Sequence, residues 1–211
     1  NGGQLPATNM VSPASYDDEG NVFSTEAGDY VPKDGSGVAE AQQLLADAGY
    51  PNGEGFPTLE IMYNTSEGHK MVAEIIQEMW KTNLGIDVTL TNQEWAVFQD
   101  TRRNHDYQIA RGGWLGDYSD PMTYLGMFFS DSPMNYAGWQ DTSYDEILEA
   151  AKTAPPAERF DMLYEALDKV MLSYAYMPIY VYTDSMMVGA NVDNWEKTTR
   201  GLFWFGFADL N

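Results

Sequence analysis

The chain contains no cysteine, which removes disulfides and thiol chemistry; exported proteins also exist without cysteine, so the compartment stays open. Histidine is nearly missing. His69 and His105 are the two present; they lie far apart with no His-x-x-x-His pairing, so no metal site is expected. Cations are scarce: 11 Lys and Arg stand against 32 acids, a formal net charge of −21. Nucleic acid and anionic membrane surfaces both select basic patches, so neither is expected as a partner. The acidity otherwise reads as a solvated surface. No apolar run is long enough to span a bilayer. There is no Gly-x-Ser-x-Gly elbow, Walker loop or Gly-x-Gly-x-x-Gly turn, and no EF-hand-like run of oxygens surrounds Asp117 and Asp120. Paired carboxylates are unavoidable among so many acids, so a hydrolase built on them carries little signal. No cofactor is expected.

What is there is enough for a core. The chain has 211 residues and is 44% hydrophobic, which suits one large domain or two small ones. Six Trp and fourteen Tyr supply rings that fill cores and line pockets for polar organic ligands. The opening "NGGQLPATNMVSPASYDDEGNVF" is polar and turn-rich. It is not a signal peptide and reads as a mature form or an excised fragment.

Residues 1–35 show no periodicity and are expected to form an extended arm. Val38, Ala41, Leu44, Leu45 and Ala48 share a helical face, and Gly49 stops it. "TLEIMYN" alternates as a strand with Leu59, Ile61 and Tyr63 on one side. Ser66 is placed to cap a helix whose buried face is Val72, Ile75, Ile76, Met79 and Trp80, ended by Gly85. "IDVTLT" is a strand, "QEWAVFQDTRR" a short helix and "DYQIARG" a strand. Such alternation predicts an α/β fold, a sheet flanked by helices. Asp120 and Pro121 open a further helix over "MTYLGMFF". Helices follow near 142–153 and 156–174, the second with Phe160, Leu163, Leu167, Val170 and Met171 inward. "MPIYVYT" and "SMMVGA" are expected to pair as a hairpin, and "GLFWFGF" is the last apolar strand.

One stretch stands out: "ARGGWLGDYSDP", residues 110–121. A core strand has no use for its glycines, and a flexible loop has none for its indole. Close backbone approach with charges held nearby accounts for both. Arg111 ends a strand on the same face as Tyr107 and Ile109, and a cation on a half-buried face needs an anionic partner. That partner is a ligand or an internal carboxylate. Asp117, read alone, is a turn or capping acid.

The run from "MYNTSEGHK" through "WKTNLGIDVTLTNQEWAVFQDTRR" to "YQIARGGWLGDYSDPMTYLGMFFSDSPMN", continued by "YDEILEAAKT" and "MPIYVYTDSMMV", resembles the second large lobe of periplasmic oligopeptide-binding proteins. These are the solute receptors (family 5) of ATP-driven peptide importers. The resemblance implies one lobe of a two-lobed, type II periplasmic-binding-protein-like fold with a mixed sheet. It implies that residues 1–35 link from a missing N-terminal lobe, that 36–194 form the peptide-binding lobe, and that 195–211 return to the other lobe. The implied function is non-catalytic capture of an oligopeptide by hinge closure, for delivery to a membrane permease. The implied location is the periplasm or, through a lipid anchor, the outer face of the cytoplasmic membrane. Gly113 and Leu115 would offer backbone groups to an extended peptide, and Asp117 would pair with its ammonium. Arg111 and His69 would face its carboxylate end, His69 from the first turn of a helix, and Arg102 matches a further peptide-binding position of the family. Trp95 would line a pocket. Surface exposure is the plain alternative for Arg102 and His69, and core packing for Trp95. A receptor for a sugar or other small solute is the alternative within the fold. Two features depart from the family: Leu115 stands where some members carry a disulfide-bonded cysteine, and "LFWFGF" would lack its sheet partners.

Overall fold

The computed structural model describes residues 3–198 and 201–211. The outermost part of the expected arm (residues 1 and 2) and positions 199 and 200 of the expected returning segment lie outside that range. The chain divides into two compact units, one formed by residues 32–113 and the other by 1–31 together with 114–211.

The 32–113 unit is built on a parallel sheet. Its elements are α2 (Val38–Asp47), β2 (Leu59–Asn64), α3 (Glu67–Leu84), β3 (Val88–Gln93), α4 (Trp95–Arg103) and β4 (Ile109–Ala110); β1 and α1 belong to the other unit. The strand order is β3-β2-β4, with Leu59 opposite Val88, Asn64 opposite Gln93, and Ile61 opposite Ile109. The chain steps from β2 to β3, then back past β2 to β4. Right-handed crossovers therefore place α3 and α4 on opposite faces. That explains why Ile61, Met62, Tyr63 and Asn64 are all buried: a parallel strand covered on both sides has no wet face to alternate with. Ile61, Tyr63, Ala73, Ile86 and Val88 form the core, with Leu45, Ile76, Trp80 and Leu84 against it. α3 ends at Gly85, in the left-handed region with φ 71°, where a Cβ would sit 2.1 Å from the Asn52 carbonyl oxygen. Only glycine fits there.

Local expectations in this unit need three corrections. Ser66 stands at the N-cap of α3, but its side chain makes no capping bond. Ile75 and Met79, expected inside, are 51% and 54% exposed, and Leu44 on α2 is 62% exposed. The helices are buried along narrower stripes than a periodicity count suggests: α3 packs on β2 and β3, and α2 packs on α3 instead of on the sheet.

The other unit is mainly helical. It contains β1 (Leu5–Pro6), α1 (Phe23–Glu26), α5 (Met122–Leu125), α6 (Thr142–Ala151) and α7 (Pro156–Leu172). Short strands β5 (Tyr180–Val181), β6 (Val192–Asp193), β7 (Glu196–Lys197), β8 (Phe203–Trp204) and β9 (Asp209–Leu210) complete it. α6 and α7 pack together around Tyr144, Leu148, Leu163, Leu167 and Val170, none of which is solvent-accessible. Asp141 caps α6 by accepting from the amides of Ser143 and Tyr144 at 2.8 and 3.1 Å. The expected extended arm is instead folded into this core. Phe23 is fully buried and stacks on Tyr164 at 4.2 Å, and Met10 and Val11 are buried beside it. Apolar residues scattered among turns carry no period, so sequence pattern cannot register them. The expected hairpin is also absent: β5 pairs antiparallel with β1, not with "SMMVGA".

Candidate functional site

The carboxyl ends of β2 and β3 are where α/β sheets present ligand sites, since the helices that follow them leave on opposite faces. Two buried acceptors sit there. Asn64 Oδ1 and Gln93 Oε1, on residues paired across the sheet, accept no hydrogen bond among the described residues. Buried polar atoms are normally satisfied, so the strand mouths favour an incoming donor.

His69 lies in the first turn of α3 and is half-buried. Its ring donates to the backbone carbonyl of Asn64, and Arg111 acts on it electrostatically. Burial, then the neighbouring guanidinium, hold its pKa below the usual imidazole value. The structure thus brings His69 and Arg111 together. Arg111 follows β4 directly, and its amide extends the ladder by donating to Met62 O at 2.8 Å. Its side chain folds back over Gly113: a Cβ built on Gly113 would lie 2.9 Å from an Arg111 terminal nitrogen. Gly113 is therefore bare partly to make room for this cation. Gly112 has open space where a side chain would be.

Arg102 sits on the inner side of α4 and is buried at 8% exposure, which corrects the surface reading. Its guanidinium lies 5.3 Å from the Phe98 ring centroid, a cation–π contact, and acts electrostatically on Tyr107. Trp95 opens α4 and is 49% exposed, so it is not core; its ring stacks on Phe98 at 6.0 Å.

In the other unit, Leu115 is 65% exposed and Asp117 is exposed. Thr123, buried in the first turn of α5, organises this loop. Its hydroxyl oxygen accepts from the Asp117 amide at 3.0 Å and from the Trp114 indole at 3.5 Å; a hydroxyl has two lone pairs for two donors. Asp120 takes the capping role, accepting from the Met122 amide at 2.9 Å, and also pairs with Arg159 at 2.8 Å. Gly116 admits the Tyr124 hydroxyl, which would lie 2.6 Å from a Cβ there. Sequence reasoning missed Thr123, Asn64 and Gln93. The available signals were a threonine just inside a helix start and amides closing two paired strands.

Comparison with known proteins is consistent across sequence and structure. Residues 1–136 match the family model described as bacterial extracellular solute-binding proteins, family 5 Middle. The chain is 33% identical over 189 residues to the periplasmic oligopeptide-binding protein OppA of Salmonella typhimurium, covering 89% of this chain and 34% of that protein. It is 33% identical over 194 residues to the oligopeptide-binding protein OppA of Bacillus subtilis, covering 90% and 35%. The solved complex of Haemophilus influenzae OppA with the peptide RPPGFSPFR superposes with a TM-score of 0.75 at 32% identity, covering 90% of this chain and 37% of that one. The chain spans about a third of the length of the curated relatives it matches.

Proposed function

The chain belongs to the bacterial extracellular solute-binding proteins of family 5, and we propose that it supplies the second-lobe half of an oligopeptide site in an exported receptor for an ATP-driven importer. Its fold is that of part of a type II periplasmic binding protein, with a mixed α/β architecture. The observation that carries the functional reading is the His69–Arg111 pair beside the unsatisfied Asn64 and Gln93 acceptors. A guanidinium beside an imidazole that a bound anion can help to protonate suits a carboxylate, and buried amide oxygens suit peptide N–H donors.

In this reading Arg111 and His69 meet the peptide's carboxylate end. Gly113 and Leu115 offer backbone groups, Asp117 holds the ammonium, Trp95 lines a side-chain pocket, and Arg102 adds positive potential within its own unit. The chemistry is binding, not turnover. Capture occurs by closure of this lobe on an upstream one, residues 1–35 leading in from that lobe and 195–211 returning to it. The closed form is then offered to a membrane permease. The receptor resides in the periplasm or is lipid-anchored outside the cytoplasmic membrane.

The test is calorimetry on the longer natural polypeptide that carries this chain, with a tetrapeptide, its C-terminal amide and its N-acetyl derivative. Each blocked form should bind at least about tenfold more weakly, the loss expected for a buried charge-assisted contact. Arg111→Ala should erase the penalty of amidation and Asp117→Asn that of acetylation. Equal affinity of all three peptides for the unmodified protein would sink the peptide reading and favour another small solute. Peptide cleavage abolished by Asp117→Asn would instead make it a hydrolase.

A further inference from the structure

α3 carries a second apolar stripe that its own unit does not bury. Ala73, Ile76, Trp80 and Leu84 face the sheet. Met71, Ile75 and Met79, spaced four residues apart, point outward at 55%, 51% and 54% exposure. Residues at this spacing stack along one side of a helix, so the three form a ridge about 12 Å long at 1.5 Å per residue. Single exposed apolar residues need no explanation, but an ordered row of three is a different matter. Two of the three are methionines, whose unbranched, polarisable side chains adapt to varied partners.

The charge beside the ridge is mostly acidic. Glu67, Glu74 and Glu78 recur along the same helix at spacings that place them on one flank of Met71, Ile75 and Met79. The helix's two lysines do not offset this evenly. Lys81 is drawn away to Asp87, and Lys70 reaches Glu74 only at 3.9 Å. The chain as a whole carries −21. A second copy would bring acid against acid, and an anionic bilayer would be repelled for the same reason.

We propose that the outer face of α3 is a docking surface for a basic amphipathic helix of a partner protein, with apolar side chains seated on Met71, Ile75 and Met79 and Lys or Arg paired with Glu67, Glu74 and Glu78. Such a helix would lay its apolar face along the ridge in helix-to-helix packing. Its cations would set orientation and speed encounter. The surface is distinct from the strand mouths at Asn64 and Gln93, and it does not depend on the peptide-binding reading.

The experiment is fluorescence anisotropy with the chain and a labelled helical peptide of about 18 residues, carrying Leu at every third or fourth position and Lys on both flanks. Two controls share its composition or its pattern: a scrambled peptide with equal charge, and an acidic peptide with Glu for Lys. The amphipathic basic peptide should bind and the two controls should not. The double variant Met71→Ser with Met79→Ser should weaken binding by about tenfold. Glu74→Gln with Glu78→Gln should weaken it less and flatten its salt dependence. All these positions are exposed, and circular dichroism checks that the variants stay folded. Equal binding of the scrambled peptide, or no effect of the methionine substitutions, would overturn the proposal. So would a concentration-dependent dimer that the methionine variant abolishes, which would make the occupant a second copy. Resistance of both methionines to peroxide in a longer natural polypeptide without added peptide would also overturn it, by showing the ridge filled from within.

Discussion

At the residue scale, the informative groups are those whose neighbours leave them little choice. Gly113 lies under the Arg111 guanidinium. Gly113→Ala should leave folding intact, since only the far end of a flexible side chain must move, yet displace that cation from its present position. In the longer natural polypeptide, calorimetry should show peptide affinity falling by roughly tenfold, most of it at the carboxylate end, if Arg111 binds there. Tyr144 is the opposite case. Its hydroxyl is buried and donates to Leu125 O at 2.6 Å. Tyr144→Phe should cost about 1–3 kcal/mol in urea unfolding, the penalty for leaving a buried carbonyl unsatisfied.

His69 gives a pH dependence whose sign differs between stability and binding. Burial and Arg111 lower its pKa from the ordinary value of about 6.5. Below that pH the unfolded chain takes up the proton more readily than the folded one. The contribution to stability is therefore intact above pH 6.5 and is lost as pH falls through the window beneath it. A bound carboxylate acts the other way, because it stabilises the imidazolium. Peptide affinity should rise as pH drops below 6.5, until the ligand's own carboxylate protonates. His69→Gln should abolish that rise. An unchanged pH profile in His69→Gln would remove this residue from the site.

At the scale of elements, short structures rest on single contacts. α6 begins at Asp141, whose carboxylate accepts from the Ser143 hydroxyl and from two amides and is thereby held below the usual carboxylate range. Asp141→Ala should destabilise the helical unit by about 1 kcal/mol, read as a lower urea midpoint. The four-residue α5 is likewise held by the Asp120 cap and the Asp120–Arg159 pair. Thr123 in that same helix is the anchor of the Trp114–Asp117 loop. Thr123→Val keeps the shape but removes the acceptor. It should loosen the loop, seen as faster hydrogen exchange at the Asp117 amide while the α6 and α7 amides keep their protection.

At the scale of the whole molecule, the C-terminal segment is the least provided for. Leu202, Phe203, Trp204, Phe205 and Phe207 are all at least 48% exposed, while among the described residues β8 pairs with the two-residue β7 alone. If this stretch returns to an upstream lobe, as proposed, the emission of Trp204 should be red-shifted in the 211-residue chain and blue-shifted in the longer natural polypeptide; a Trp204→Phe variant isolates that signal from the other indoles. By the same reasoning the chain alone covers one side of a peptide. Its binding should be weak or undetectable by calorimetry, and micromolar affinity would contradict the two-lobe mechanism.

Strong local order was legible in the residues themselves. The β-branched run at 86–91, the helix stop at Gly85, the Asp120–Pro121 helix start and the inward row of α7 each follow from dihedral preference, capping or a 3.6-residue period, all of which act over a few positions. Arg111 stood out from a cation set beside glycines, whereas Asp117 and His69 became candidates through the family resemblance of the surrounding run. Tertiary structure alone decided the rest. Phe23 entered a core from an aperiodic stretch, β5 chose β1 across most of the chain, Arg102 went inside against Phe98, and Met71, Ile75 and Met79 were left outside. These outcomes turn on which surfaces meet across long sequence separations, and burial energy depends on the partner surface, of which a local pattern holds only one side.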